Sequence, residues 1–583
     1  MLHEGVQNPV ITIPGLGVVK GILDPTHKVA KFLNVPFGIV QERWRPAVKA
    51  QPWNGVLDGS HNGPMSPQQT MNHPFISMLL GAPSTNGFED TMSERDCLNC
   101  NIFIPTSALT STSSSELLPV MVWIYGGSFR AGTTSSPLYD CTGMLLTGID
   151  LQKPFIAVVI NYRVNYLGFL SSSELLRDNQ HHIQTIPPHQ QNWYDGSVGN
   201  WGLLDQILGL EWIQEYIGAF GGDKRKVTVM GESAGAVAIS LLMVIPQAHG
   251  LFRRVILQSG GAGTFPLIRP ESEGGQMLFK HLCYRFGVEE GLDPLEKVRR
   301  LRGVNAKDLA EELDLVQLLC FGPTLDGVVF QEDSRILVRD PEVYGRELEW
   351  VVTGGCQDEG SVFAPMFGAT SLEAFASLKT RLCPPSDSAL FDTLFGVPRT
   401  DAEATIISAR LTGNGMFKYP SLQVSQAVLA HPTAQLTRFH FDTHIKAEEK
   451  IMPGLGAHHG VDMFFTFGGK VAEDLLDATE RGMIRKVQEV WIEVITAHSP
   501  ESSSLPKVTS SLISENNKTD TLPKEAIVFG NGMQIHKDIA ERLSVDEIEF
   551  WKRASEFAVE ESTKGRGQQV FFDFFQGILT SAP

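Results

Sequence analysis

Ser233 lies at the centre of the string Gly231-Glu232-Ser233-Ala234-Gly235. Residues 226–230 before it are β-branched and apolar and predict a buried strand; residues 236–245 after it are small and apolar and predict a helix. A serine on a strand-to-helix turn, with glycine two residues to either side, presents its hydroxyl at the end of a sheet. The tight bend leaves no room for side chains at 231 and 235. The helix that follows points its N-terminus at the same place and favours negative charge developing there. A serine hydroxyl is a poor nucleophile at neutral pH. It needs a base, an acid to orient the base, and donors for an oxyanion.

The chain offers candidates for each. Residues 119–125 form an apolar strand pattern followed by Gly126-Gly127-Ser128-Phe129, so the N–H groups of Gly127, Ser128 and Ala234 are assigned to an oxyanion hole. Residues 350–353 predict a strand, and Asp358 and Glu359 follow it closely. Either carboxylate could reach a histidine on a neighbouring loop, and position alone does not separate them. Among the histidines beyond 359, His440 alternates within a strand pattern and has a structural reading. His458 and His459 stand beside Gly460 in a glycine-bearing loop and are the better candidates for the base. No third ligand at sensible spacing accompanies that pair, so neither a metal nor a cofactor is expected.

Residues 119–125, 155–162, 226–230 and 254–258 are short β-rich runs, and residues 203–216 have a helical pattern between two of them. This order predicts a mostly parallel central sheet flanked by helices. Residues 293–312 predict helix, strand signals return at 350–353 and 436–441, and a long helix is expected at 547–560. Polar stretches at 109–116, 171–196 and 499–521 are expected to be surface loops inside one domain that spans 1–583. Asn517-Lys518-Thr519 matches a glycosylation sequon, expected to be unused.

The 583 residues are 42% hydrophobic and 20% charged, which suits a large globular core. A net charge of −18 argues against nucleic acid as a partner. No apolar run is long enough for a transmembrane helix. The first residues show no signal-peptide pattern. Seven cysteines at scattered spacing give no disulfide framework. A cytoplasmic location is therefore expected.

The chain resembles the type-B carboxylesterase and lipase family, the cholinesterase-like α/β-hydrolases, and looks closest to fungal members. The resemblance rests on ordered matches: Asn34-Val35-Pro36-Phe37-Gly38, Arg43-Trp44-Arg45-Pro46, Asn161-Tyr162-Arg163-Val164, Gly199-Asn200-Trp201-Gly202-Leu203-Leu204-Asp205-Gln206, the Ser233 string, Leu257-Gln258-Ser259-Gly260, Asp358-Glu359-Gly360-Ser361 and His459-Gly460. It implies an α/β-hydrolase fold with helical excursions over the site. It also implies a serine esterase that hydrolyses small-molecule carboxylic esters through Ser233, His459 and Glu359 and an acyl-enzyme. Glu232 and Ser259 match residues that support such a triad. Residues 63–95 correspond to a lid or gorge rim, in which Phe75 and Leu79 are candidate pocket residues, with Leu319 and Phe321 on the acyl side. An acyltransferase or lactone-processing enzyme on the same triad is the alternative, and a non-catalytic adhesion relative a remote one. The chain departs from the family in three ways. Ser128 stands where glycine is usual. Ser66, Val288 and Val298 stand where bridged cysteines are usual, which fits a reducing compartment. The family's structural glutamate before Asp96 is either displaced to Glu94 or replaced by Arg95.

Overall fold

The computed structural model describes residues 8–69, 91–110, 117–265, 267–312, 321–340, 343, 347–363, 371–383, 385–430, 434–451, 454–507, 526–530, 532–536 and 546–554. Its centre is an eleven-stranded sheet built in chain order from β1 (Ile22–Leu23), β2 (Val29–Pro36), β3 (Asn99–Pro105), β4 (Leu118–Ile124), β5 (Ile156–Ile160), β6 (Gly222–Glu232), β7 (Arg254–Gln258), β8 (Trp350–Cys356), β9 (Gln435–Phe441), β10 (Ala526–Gly530) and β11 (Gly532–His536). The spatial order is β11-β10-β9-β8-β7-β6-β4-β5-β3-β2-β1. Neighbours from β5 across to β10 pair in parallel, and the strands outside them pair antiparallel. Strands at the centre carry apolar runs where helices cover both faces; β5 and β7 are buried at every position. Parallel strands end on one edge. The loops after β4, β6, β8 and β9 therefore open on the same side of the sheet, where α/β proteins bind their ligands.

The helix Trp201–Tyr216 crosses the sheet before β6 and is tied to the loop after β5 by a buried ion pair. Arg163 donates from Nε and Nη2 to the two oxygens of Asp205, both at 2.7 Å, and its Nη1 donates to the Arg45 carbonyl at 2.8 Å. The fork geometry satisfies the guanidinium where water does not reach.

The expectation of a loop over 171–196 needs correction. Ser173–Ile183 is a helix whose N-cap, Ser172, accepts from the Leu175 N–H at 3.1 Å. Two of its polar residues, Asp178 and Asn179, face inward, which a composition argument does not anticipate. Asp178 is paired with Arg45 at 2.6 Å and with Arg302 at 2.6 Å. Helix over 293–312 takes the form of Pro294–Arg302 and Ala306–Glu311. The C-terminal helix is described over 546–554, and the remainder of its expected span, like the sequon at 517–519, lies outside the described residues.

Arg43 grips Glu94 through Nε at 2.6 Å and Nη2 at 2.7 Å, while Arg95 is exposed. Val288 and Val298 are buried in the apolar core, and Ser66 is buried beside Val164. Cys97, Cys100, Cys141, Cys283, Cys356 and Cys383 are free and buried; Cys320 lies outside the described residues. No described helix is long and apolar enough to cross a membrane.

Candidate active site

The last residue of β6 is Glu232, and Ser233 follows it with φ 54° and ψ −126°, a left-handed backbone that a side-chain-bearing residue adopts only under constraint. The constraint is visible. Ser233 N–H donates to the Gln258 carbonyl at 2.9 Å, and the helix Ala234–Leu242 begins at the next residue. A Cβ on Gly231 would lie 2.7 Å from the Ile124 carbonyl oxygen, and one on Gly235 would overlap the same oxygen. The two glycines are therefore there because the helix start presses against the end of β4.

The loop after β4 also has left-handed residues in sequence: Gly127 at φ 101°, Ser128 at 59° and Phe129 at 53°. Its carbonyls are held elsewhere. Gly127 O accepts from Arg130 and Ala131 N–H at 2.9 and 3.2 Å, and Ser128 O accepts from Phe321 N–H at 2.9 Å. None of the N–H groups of Gly127, Ser128 and Ala234 donates a hydrogen bond among the described residues. Unused donors on a carbonyl-anchored loop and at a helix N-terminus are what an oxyanion requires.

The acid and base positions separate by geometry. Glu359 is 1% exposed. Its Oε1 accepts from Cys356 N–H at 2.6 Å, and its Oε2 accepts from His459 Nδ1 at 2.7 Å. Asp358 instead ties the histidine loop down: its N–H donates to Ala457 O at 2.8 Å and its Oδ2 accepts from Ala457 N–H at 3.0 Å. His458 is fully buried and turned away. Its Nδ1 donates to the His459 carbonyl at 2.7 Å and its Nε2 to Glu448 Oε2 at 2.7 Å. Burial opposes its charged form, but the Glu448 hydrogen bond and charge outweigh it and hold the imidazole above its usual range. His440 sits within β9, as its alternation suggested.

The other nitrogen of the His459 ring faces the nucleophile's neighbour. Nε2 lies 3.1 Å from Glu232 Oε1, yet the two are not aligned for a hydrogen bond, and neither atom has such a partner among the described residues. Burial, with the charges of Asp462 and Glu359, pushes the Glu232 carboxyl well above the usual carboxylate range. Held toward its neutral form, Glu232 is a weaker ion-pair competitor for the imidazole. Ser233 Oγ makes no hydrogen bond among the described residues; such bonds are often long before substrate arrives. Ser259, left-handed at φ 55° and fully buried, sends Oγ toward Cys356 Sγ at 4.0 Å, next to the peptide N–H that holds Glu359.

Several neighbours carried no sequence signal strong enough to select them. Asp462, three residues past His459, is fully buried and accepts from Gln258 Nε2 at 2.7 Å. Burial first, then the Glu359 charge, raises its carboxyl from 3.8 to about 6. Phe417 and Phe363 pack against the His459 ring with centroids 4.2 and 5.1 Å away. Of the expected pocket residues, Phe75, Leu79 and Leu319 lie outside the described residues. Phe321 is buried, with its backbone on Ser128 and its ring edge-on to Tyr166 at 5.2 Å. At the start of the 63–95 segment, Gln68 is fastened to the loop after β4, exchanging hydrogen bonds with Gly132 at 2.8 and 2.9 Å. A cavity of about 570 Å³ lies on the outer side of the acid loop, between Asp358, Gly360, Arg410 and Gly454, and does not include Ser233. Among the described residues no cluster of His, Cys, Asp and Glu is spaced to hold a metal.

Comparison with known proteins gives a family and a fold. A family model described as the Carboxylesterase family matches residues 7–183 and 191–527. A para-nitrobenzyl esterase of Bacillus subtilis (strain 168) is 28% identical over 84% of this chain and 90% of its own length. An acylcarnitine hydrolase of Mus musculus is 30% identical over 84% of this chain and 83% of its own length. A solved structure of PNB esterase superposes with a TM-score of 0.67 at 24% identity, covering 94% of this chain and 99% of that one.

Proposed function

The chain belongs to the carboxylesterase family and is a carboxylic ester hydrolase of α/β-hydrolase fold; on that premise we propose that it works through Ser233, His459 and Glu359 with an acyl-enzyme intermediate. The observation that carries this reading is the 2.7 Å pairing of His459 Nδ1 with Glu359 Oε2, beside a serine held on a strained strand-to-helix turn. Ser233 Oγ attacks the ester carbonyl and His459 Nε2 takes its proton. Glu359 keeps Nδ1 protonated and stabilises the imidazolium. The carbonyl oxygen, now negative, is met by the N–H groups of Gly127, Ser128 and Ala234; each such donor is worth about 3–4 kcal/mol in the transition state. The imidazolium returns the proton to the leaving alcohol, and water, activated the same way, releases the acid.

Glu232, held toward its neutral form, competes only weakly for the Nε2 side of the ring, and Ser259 backs the acid. The segment 63–95, fastened at Gln68 to the oxyanion loop, acts as the lid or rim of the substrate pocket within a single domain. The substrate is a neutral ester with a short to medium apolar acyl group, and the free buried thiols support a reducing, cytoplasmic setting.

The test is direct. Ser233→Ala is expected to lower kcat on para-nitrophenyl butyrate by at least about 10⁴-fold with an unchanged thermal melt, and Glu359→Gln by a similar factor. A fluorophosphonate is expected to label Ser233 alone. His459→Ala is expected to be as severe as Ser233→Ala, whereas His458→Ala mainly lowers the melt. Near-normal turnover by Ser233→Ala, or the reverse ranking of the two histidines, overturns the assignment.

A further inference from the structure

The imidazole of His459 has one hydrogen bond, at Nδ1, and none at Nε2 among the described residues. A single bond fixes one atom and leaves the ring free to tilt about it. Aromatic packing holds the plane. Phe417 stacks on the imidazole with centroids 4.2 Å apart and planes 35° from parallel; Phe363 flanks both rings, 5.1 Å from the imidazole and 5.5 Å from Phe417. Phe417 is 3% exposed and His459 4%.

Phe417 reaches this place through an irregularity. The helix Asp401–Gly413 runs into a π-helical turn, Asn414–Lys418, and continues as Tyr419–Ala430. Tyr419 N–H donates to Asn414 O, five residues back. Pro420 explains the widening. It has no N–H for a helical bond to Met416, and its ring would strike that carbonyl. The turn is clamped from two sides. Gly413 lies against the acid loop, where a Cβ would be 3.0 Å from Gly360 N and 3.3 Å from Glu359 Cβ; Gly415 lies under the Trp551 ring, 2.7 Å from a Cβ built there. Glu547, on the same C-terminal helix as Trp551, pairs with Arg410 and accepts from Asn414 Nδ2 at 3.4 Å.

Resting on the triad reading above, we propose that Phe417 is a positioning residue of the base: the π-turn sets its ring against His459, holds the imidazole in the plane that serves both Glu359 and Ser233, and favours the imidazolium formed as Ser233 attacks. A cation over an aromatic face is stabilised most where water is excluded, and a tilted stack at this distance presents the face. The charged and titratable groups around the ring are Glu359 from the acid loop, Glu232 from β6 and Asp462 from the helix Asp462–Phe467, with His458 and Glu448 on the far side of the loop. Arg410 and Lys418, on the helix of Phe417, face the cavity outside the acid loop. None of these is altered by a change at 417.

The full-length protein is assayed with para-nitrophenyl acetate across pH as wild type, Phe417→Leu, Phe417→Met, Phe417→Tyr and His459→Ala, each with a thermal melt. Phe417→Leu is expected to lower kcat about ten- to a hundredfold with KM within twofold. The acid limb of its kcat/KM profile moves to lower pH by about half a unit to one and a half. Phe417→Tyr restores most of kcat and the limb. Phe417→Met keeps the volume without the ring and behaves as leucine does, which covers a folding failure of the leucine variant. Retention of kcat within twofold in both ringless variants, a loss confined to KM, or a tyrosine variant as impaired as leucine overturns the proposal. Full activity in His459→Ala would instead remove the triad reading on which it rests, so the two failures are distinct.

Discussion

Three carboxyl groups crowd one imidazole, and their environments give them different work. Glu359 receives a peptide N–H at one oxygen and the Nδ1 proton of His459 at the other. Asp462 accepts from the Gln258 amide, but burial with the Glu359 charge raises it from 3.8 to about 6. Folding thus favours the protonated form of Asp462. Its stabilising contribution is complete below the unfolded value near 4 and is lost as pH rises through about 6. A shift of this size corresponds to on the order of 3 kcal/mol. Asp462→Asn keeps an acceptor for Gln258 Nε2 and cannot ionise. Urea midpoints measured at pH 4, 5, 6 and 7 should show wild type losing stability relative to the asparagine variant across that window; parallel curves would refute the shift. Sequence placed Glu359 and Asp358 on equal terms because both follow the strand within a residue of each other. The family resemblance favours Glu359, and the turn that sends one side chain inward and the other onto Ala457 gives the physical reason.

At the scale of elements, the parallel order explains why four loops distant in sequence share one site: each leaves the same end of its strand. β4 and the end of β6 were legible because both faces are buried and the runs stay apolar, and β9 because it alternates. The helix Ser173–Ile183 was not, since its inward residues Asp178 and Asn179 are polar and answered by Arg45 and Arg302. The π-turn was not either. A proline at 420 suggests a break or a fresh helix start, and only the packing of Gly413 and Gly415 shows that the chain stays helical through it. The Arg163–Asp205 pair joins β5's loop to the helix before the nucleophile strand, and neither group reaches water. Asp205→Ala leaves a buried guanidinium without its partner and is expected to destabilise the fold by about 3–5 kcal/mol, read as a lower denaturant midpoint. Folded Asp205→Ala should retain its fluorophosphonate labelling. A change under about 1 kcal/mol would mean that relaxation or water replaces the pair.

For the whole molecule, two properties remain to be set against solution behaviour: its thiols and its charge. With Ser66, Val288 and Val298 at the positions of the family's usual bridges, titration of denatured, unreduced protein is expected to count all seven cysteines as free thiols; five or fewer would reveal a disulfide and argue for an oxidising compartment. The net charge of −18 draws cations from a distance, but salt screens that field beyond about 8 Å. Choice between a cationic and a neutral ester is therefore made by the groups that line the pocket. A quaternary ammonium is best held on a tryptophan face, by about 2 kcal/mol when desolvated. Between Asn72 and Cys97 the sequence has Phe75 and Phe88 and no tryptophan. On the acyl side, Phe321 is buried and anchored by its backbone to Ser128, offering an apolar wall near the oxyanion loop. The two acidic groups nearest the base do not supply the missing attraction either, because Glu232 is held toward its neutral form and Glu359 is committed to His459. At physiological salt, kcat/KM for 3,3-dimethylbutyl butyrate is expected to equal or exceed that for butyrylcholine, which has the same shape and one positive charge. A tenfold advantage for the choline ester would mean that a cation site exists in the pocket and that the preference for neutral esters is wrong.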